Sequence, residues 1–248
     1  MNRTRDGSTG GNCLSKPSTS STPPVAVAWH SFDEVTTKQI RHVCRLAEFT
    51  VNSFLLKHLA KAVRPSLLDQ SVLMPWMIPV NLRGKVNRAS DEENHSSYVS
   101  VKIGAYDTVH DVHQHIYRSI AHGEHWANWF GYKTGSLLPA AARRLAIRTG
   151  RAVSQWNVGG FSNLGNWDAD KTNKDTRCLG DWFFSPPVLR CQMIGAGCVT
   201  FQNRLSLVIQ VHPELTTDPE VPRQWMNAWI SELELDLGRD FPGVSGHI

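Results

Sequence analysis

At 248 residues, 41% apolar and 19% charged, the chain can bury a sizeable core as one large domain or two small ones. Its formal charge of +4 is spread over 26 basic and 22 acidic residues with no basic stripe, which excludes an obvious nucleic-acid surface. No run approaches the roughly eighteen apolar residues of a membrane span and the N-terminus carries no apolar signal core, so a soluble, cytoplasmic protein is expected.

Residues 1–24 are mostly Ser, Thr, Gly, Asn and Pro, which bury too little surface to order themselves, and read as a disordered tail. One domain is expected over 25–240, followed by a flexible C-terminus at 241–248. Ser31-Phe32-Asp33-Glu34 has capping-box spacing and predicts a helix carrying Val35, Ile40, Val43, Cys44 and Ala47. Thr50 opens a second helix with Val51, Phe54, Leu55, Leu59 and Ala62 on its apolar face, and Pro65 stops it. The apolar run from Met74 to Val80 reads as a strand buried on both faces. It ends in Asn81 and Arg83, polar groups that need partners in an interior; the structural reading is that Arg83 caps the sheet edge or pairs with a carboxylate.

Gly84 to Asn94 reads as a polar loop, and Val99, Val101 and Ile103 alternate with polar residues as a half-buried strand does. Val109, Val112, His113, Ile116, Tyr117 and Ile120 form a helical stripe. The segment from His122 to Leu138 is aromatic and interrupted by glycine, and Leu137 to Arg148 is helical, with Pro139 in its first turn. Ala152 to Trp156 predicts a strand that enters a tight turn at Gly159 to Gly165, before a polar excursion over 166–180. Trp182 to Phe184 and Met193 to Phe201 are strand-like, and Gln202-Asn203-Arg204 turns into the strand Leu205 to Val211. A last helix opens near Asp218 and buries Met226, Ile230, Leu233 and Leu237. This order predicts an α/β (α+β) chain, a two-layer mixed β-sheet with helices on one face.

The five cysteines, Cys13, Cys44, Cys178, Cys191 and Cys198, make no CxxC pair and no metal spacing, so free thiols in a reducing compartment are expected. His110, His113, His115, His122 and His125 crowd together, but their helical positions diverge and no metal site is expected. GxSxG, Walker and GxGxxG motifs are absent. His212 ends an apolar strand with Asp218 six residues on; it is a candidate general base or simply the exit from the sheet.

Thr50-Val51-Asn52 opening a helix, Pro79-Val80-Asn81-Leu82-Arg83 closing a strand, Asn94 before the alternating strand and Ser162-Asn163-Leu164-Gly165 at a strand end occur in that order. In this the chain resembles the second half of the chloramphenicol acetyltransferase-like superfamily, particularly the wax ester synthase/diacylglycerol acyltransferase branch and the condensation domains of peptide synthetases. The resemblance covers residues 25 to about 238. It implies a chloramphenicol acetyltransferase-like half-fold and transfer of an acyl group from a CoA or carrier-protein thioester to a hydroxyl or amine. No other cofactor is implied. On that resemblance Ser162, Asn163 and Asn52 line the substrate tunnel, Asn81 and Arg83 support it from below, and His212 falls where the second half keeps a degenerate counterpart of the catalytic loop.

Members of the superfamily carry HHxxxDG in their first half, its second histidine acting as the base. No His-His pair occurs here, the tail is too short to hold another half, and Thr216, not an acid, stands four residues after His212. The expectation is therefore an acyltransferase-like chain that depends on a first-half subunit or a homo-oligomer interface. The alternative is a non-catalytic binding module or a remnant of the same fold.

Overall fold

The computed structural model describes residues 25–67, 69–86, 95–148, 157–167 and 180–238. The expected tail (1–24), the C-terminus (241–248), the strand at Ala152 to Trp156, Asn94 and most of the 166–180 excursion lie outside them.

The chain enters through a strand the periodicity did not show, β1 (Ala26–Ser31). Ser31 is thus extended and caps nothing; Asp33 is the N-cap, its carboxylate accepting from the Thr36 N–H at 2.7 Å, and α1 spans Glu34–Leu46. Ile40, Val43 and Cys44 are buried as expected, whereas Val35 points to solvent. Thr50 caps α2 (Val51–Val63), and the Arg64–Ser66 turn closes it where Pro65 ends the α-helical ladder. The strands β2 (Met74–Asn81) and β3 (Ser96–Ile103) follow, then α3 (Val109–Ala121). The aromatic stretch after His122 is a helix, α4 (Glu124–Ser136), despite its glycines, and α5 is Ala140–Arg148. β4 continues through Gly159 and Gly160 to Trp167 and is irregular only later, between Asn163 and Asn166. β5 (Gln192–Phe201) and β6 (Arg204–Val211) form a hairpin, and α6 spans Glu220–Leu237. Gln202 and Asn203 both adopt left-handed φ, 48° and 61°, as a two-residue turn matched to strand twist requires.

The sheet order is β1-β6-β5-β4-β2-β3, with β2, β4 and β5 parallel and the remaining pairs antiparallel. The β2–β4 ladder is confined to Trp76 and Met77, bracketed by Pro75 and Pro79, which have no N–H for a longer one. One face of the sheet, carrying Trp76, Val101, Phe161, Ala196 and Ile209, packs into a single core with α1, α2, α3 and α6. Trp229 of that layer donates to the Leu55 carbonyl at 2.9 Å, satisfying its indole N–H inside the core.

β2 is therefore buried on one face and not on two: Met74, Trp76 and Ile78 are covered, while Pro75 and Met77 are half-buried and Pro79 is exposed. On this second face the segment 181–190, expected to be strand-like from Trp182 to Phe184, crosses β5 and β6 as an irregular strap. The Ser185 hydroxyl donates to the Gly195 carbonyl at 3.1 Å, and the Gln210 amide donates to the Pro186 carbonyl. Glycine in β5 lets it lie flat, since a Cβ at Gly197 would stand 2.3 Å from the Phe184 carbonyl oxygen. Gly197→Ala is accordingly expected to cost about 1–3 kcal/mol through overpacking. Urea unfolding checks it, and an unchanged midpoint would show the strap to be loosely held.

Candidate functional site

The carboxyl ends of β2, β4 and β5 point the same way, the end at which open α/β sheets characteristically hold ligands. Asn81 finishes β2 and its side-chain oxygen accepts from the Arg83 N–H at 2.9 Å. Asn163, in β4, does the same for the Gly165 N–H at 2.8 Å. Asn81 thus turns the chain where β2 ends, and Asn163 makes the same Asx-type bond inside β4, four residues before that strand ends at Trp167. Past Asn163 the β4–β5 register shifts and Gly165 takes a φ of +77°. Ser162 is buried beside this break and points to the strap face, as does its partner Gly197. Asn81 and Arg83 are exposed, so neither needs the interior partner their residue types suggested.

An aromatic shelf that sequence reasoning missed lies at the same end. Trp182 of the strap stacks on Phe201 with ring centroids 4.2 Å apart and planes 6° from parallel, and Trp167 lies 6.2 Å from Trp182. Arg204 pins the strap by a bond to the Asp181 carboxylate at 2.7 Å, and that bond holds the Asp181 carboxyl below the usual carboxylate range. The available signal was the Trp182-Phe183-Phe184 run followed by Pro186-Pro187, a composition too rich in proline for an interior strand.

The other singled-out residues stand elsewhere. His212 leaves β6 at the opposite end of the sheet, where its N–H bonds the Met193 carbonyl. Asn163 pairs with Cys198, five residues along β5 from Met193, a separation of about 17 Å. The His212 Nδ1 accepts from the Glu214 N–H at 3.1 Å, fixing the local turn. Asn52 is half-buried in the first turn of α2, in the helical layer on the opposite face of the sheet from Ser162. The structure brings Asn81, Ser162 and Asn163 to one end and does not bring His212 or Asn52 to them.

Of the α3 histidines, His110 bonds Gln114 and His115 stands 3.8 Å from Asp107, while His113 turns onto α2. There its Nδ1 accepts from the Thr50 N–H at 3.4 Å and lies 3.2 Å from the Ser53 hydroxyl. Ser53 is fully buried, so this serine–histidine pair is a helix cap and not an exposed nucleophile. Burial, and then His110, lowers the His113 pKa below the usual 6.5, and burial lowers that of His30. Both bind fewer protons folded than unfolded, so the stability they contribute is complete above about pH 6.5 and is lost as pH falls through their lowered values. Thermal melting should show a midpoint that drops between about pH 7 and pH 5, with a shallower slope in His113→Gln. An unaltered slope would place the acid sensitivity elsewhere.

Of the cysteines, Cys44, Cys191 and Cys198 are free thiols, and burial pushes Cys44 up to about 12 and Cys198 up as well. Both buried thiols are too desolvated for thiolate nucleophiles. A cavity of about 480 Å³, bordered by Lys61, Arg64, Ile103, Tyr106 and His110, opens at the far end of β3. Lys61 pairs with Glu232, and Arg64 donates to the Gln70, Val72 and Ile103 carbonyls, so these two cations serve the fold. Among the described residues no helix is long and apolar enough to cross a membrane.

No protein-family model and no curated protein matches the chain in sequence. Solved structures match in fold. Polyketide synthase associated protein 5 from Mycobacterium tuberculosis aligns with a TM-score of 0.59 at 12% identity, over 88% of this chain and 54% of that one. The condensation domain of the Monacolin K polyketide synthase gives 0.52 at 13%, over 92% and 51%. A trichothecene 15-O-acetyltransferase from Fusarium sporotrichioides gives 0.55 at 9%, over 87% and 48%. The chain thus shares the fold of these condensation-domain and acyltransferase structures. The chain spans about half the length of these structures.

Proposed function

We propose that this chain forms one wall of an acyl-transfer site, in which an acyl thioester of CoA or a carrier protein lies along the carboxyl ends of β2, β4 and β5 and the acceptor hydroxyl or amine is deprotonated by a base from outside this chain. The observation that carries the reading is the gathering of Asn81, Ser162, Asn163 and the Trp167–Trp182–Phe201 shelf at that end, with His212 about 17 Å away. Strand-end turns offer polar groups to a thioester carbonyl, and the shelf offers apolar surface to an acyl chain. The base then comes from a first-half domain carrying HHxxxDG, or from a residue that a second copy supplies across an oligomer interface. It takes the acceptor proton, the acceptor attacks the thioester carbon, and the thiolate leaves.

The test follows thiol release from acetyl-CoA and from a long-chain acyl-CoA with a thiol-reactive dye. This chain alone should release none above background, and adding an HHxxxDG-bearing half encoded beside it should restore release that Asn163→Ala lowers. Release by this chain alone that His212→Ala abolishes would return the base to this chain. Saturable acyl-CoA binding without release in any mixture would favour the non-catalytic module.

A further inference from the structure

The two edges of the sheet are finished differently. Along β3, α4 closes the edge: the Ser97 hydroxyl donates to the His125 carbonyl at 2.6 Å and the Asn128 amide to the Tyr98 carbonyl at 2.8 Å. β1 has no such cover among the described residues. The Phe32 N–H bonds the Leu205 carbonyl and His30 faces Leu207, so the even-numbered residues of β1 turn their backbone groups to β6. The N–H and C=O groups of Val27, Trp29 and Ser31 therefore face outward, and no backbone partner meets them among the described residues. The strand Ala26–Ser31 contains no Asp, Glu, Lys, Arg or Pro and no bulge, the features that ordinarily protect an exposed edge.

From this we propose that β1 receives an extended segment of a partner protein by strand addition, a segment that alternates basic side chains toward α6 with aromatic or β-branched ones on the Trp29 face. On the second face of the sheet Trp29 is 63% exposed and meets Phe183 edge-on at 6.4 Å, a step against which a large apolar side chain of the added strand packs. On the first face α6 lies against β1 and presents Glu234, which is close enough to act on the charge of His30, beside the exposed Leu235. His30 is the one titratable group of β1 on that side, so the acid of α6 sets the preference for a basic segment.

A second copy does not fit this edge. Adjacent strands stand about 4.8 Å apart, whereas packed helices need roughly 8–10 Å, so two chains joined through β1 would drive their α6 helices together. A single strand brings no helix with it.

The probe is a short fluorescent peptide that alternates lysine with valine and carries a central tyrosine, titrated by anisotropy into the full chain. Wild type should bind it saturably, and a peptide with glutamate for lysine should bind at least about tenfold more weakly. Val27→Pro removes an outward N–H and leaves the ladder to β6 intact, so it should weaken binding by about tenfold or more. Glu234→Lys, far from the backbone ladder, should do the same if Val27→Pro does not fold. Amide exchange at Val27, Trp29 and Ser31 should be fast in the free chain and slow with peptide. Failure of wild type to bind, full binding by both variants, slow exchange in the free chain, or a dimer that Val27→Pro dissolves would each overturn the proposal. None of these readouts depends on acyl transfer.

Discussion

His58→Ala is expected to destabilise the chain by about 3–5 kcal/mol, the range for breaking a buried hydrogen-bonded ionisable pair. His58 lies in the middle of α2 with no solvent exposure. Its Nδ1–H donates to the Phe54 carbonyl at 2.7 Å, and Nε2 shares a hydrogen bond of 2.8 Å with the Asp236 carboxylate near the end of α6. These two helices pack against each other in the layer that covers the sheet, and Lys61 and Glu232 join them again one turn along. Removing the ring leaves a void among Phe54 and its neighbours and takes one partner from the carboxylate. Replacing both partners by leucine should cost less than His58→Ala alone, because no polar group is then stranded. Urea unfolding of the single and double variants reads this directly. A single variant within about 1 kcal/mol of wild type would mean that the helices are held by apolar contact and the pair is incidental.

His58 also shows what could be read in advance. The helical stripe around it was legible because helix–sheet packing writes a repeat into adjacent residues: Phe54, Leu55, Leu59 and Ala62 are all buried. The strands with the cleanest alternation, β3 and β6, were legible for the same reason. β1 was not, since its small residues Ala26 and Ala28 give no hydrophobic contrast, and what makes it a strand is the register with Val211 and Ile209, almost two hundred residues away. The strap failed in the opposite direction. Trp182-Phe183-Phe184 has the composition of a strand, but its backbone is committed to glycines of β5 and to Gln210, groups that no local pattern encodes. The candidate site divides similarly. Asn81 and Asn163 are turn formers at the ends of apolar runs, and the order of motifs placed them together. The distance of His212 from them comes only from the antiparallel pairing of β6 with β5, which reverses the end at which that strand exits.

Trp76→Ala is expected to lose about 3–5 kcal/mol, while Trp76→Phe should stay within roughly 1.5 kcal/mol of wild type. Trp76 is fully buried at the centre of β2, one of the largest enclosed side chains, and its ring lies so close to Gly159 that a Cβ there would stand 2.6 Å from it. Alanine would open a cavity where β2 meets β4, at the short ladder between two prolines that joins the β2–β3 hairpin to the rest of the sheet. Phenylalanine keeps most of the ring. It also deletes an indole N–H that reaches no acceptor among the described residues, a group whose burial opposes folding by about 1–3 kcal/mol and offsets the lost volume. The comparison therefore separates packing from polarity at one position. If phenylalanine costs as much as alanine in urea unfolding, the indole nitrogen is satisfied in solution and the cavity term alone cannot account for the loss. If both are mild, the parallel ladder is not what couples the hairpin to the sheet, and the candidate site at the carboxyl ends of β2 and β4 must be held in register by the turns at Asn81 and Asn163.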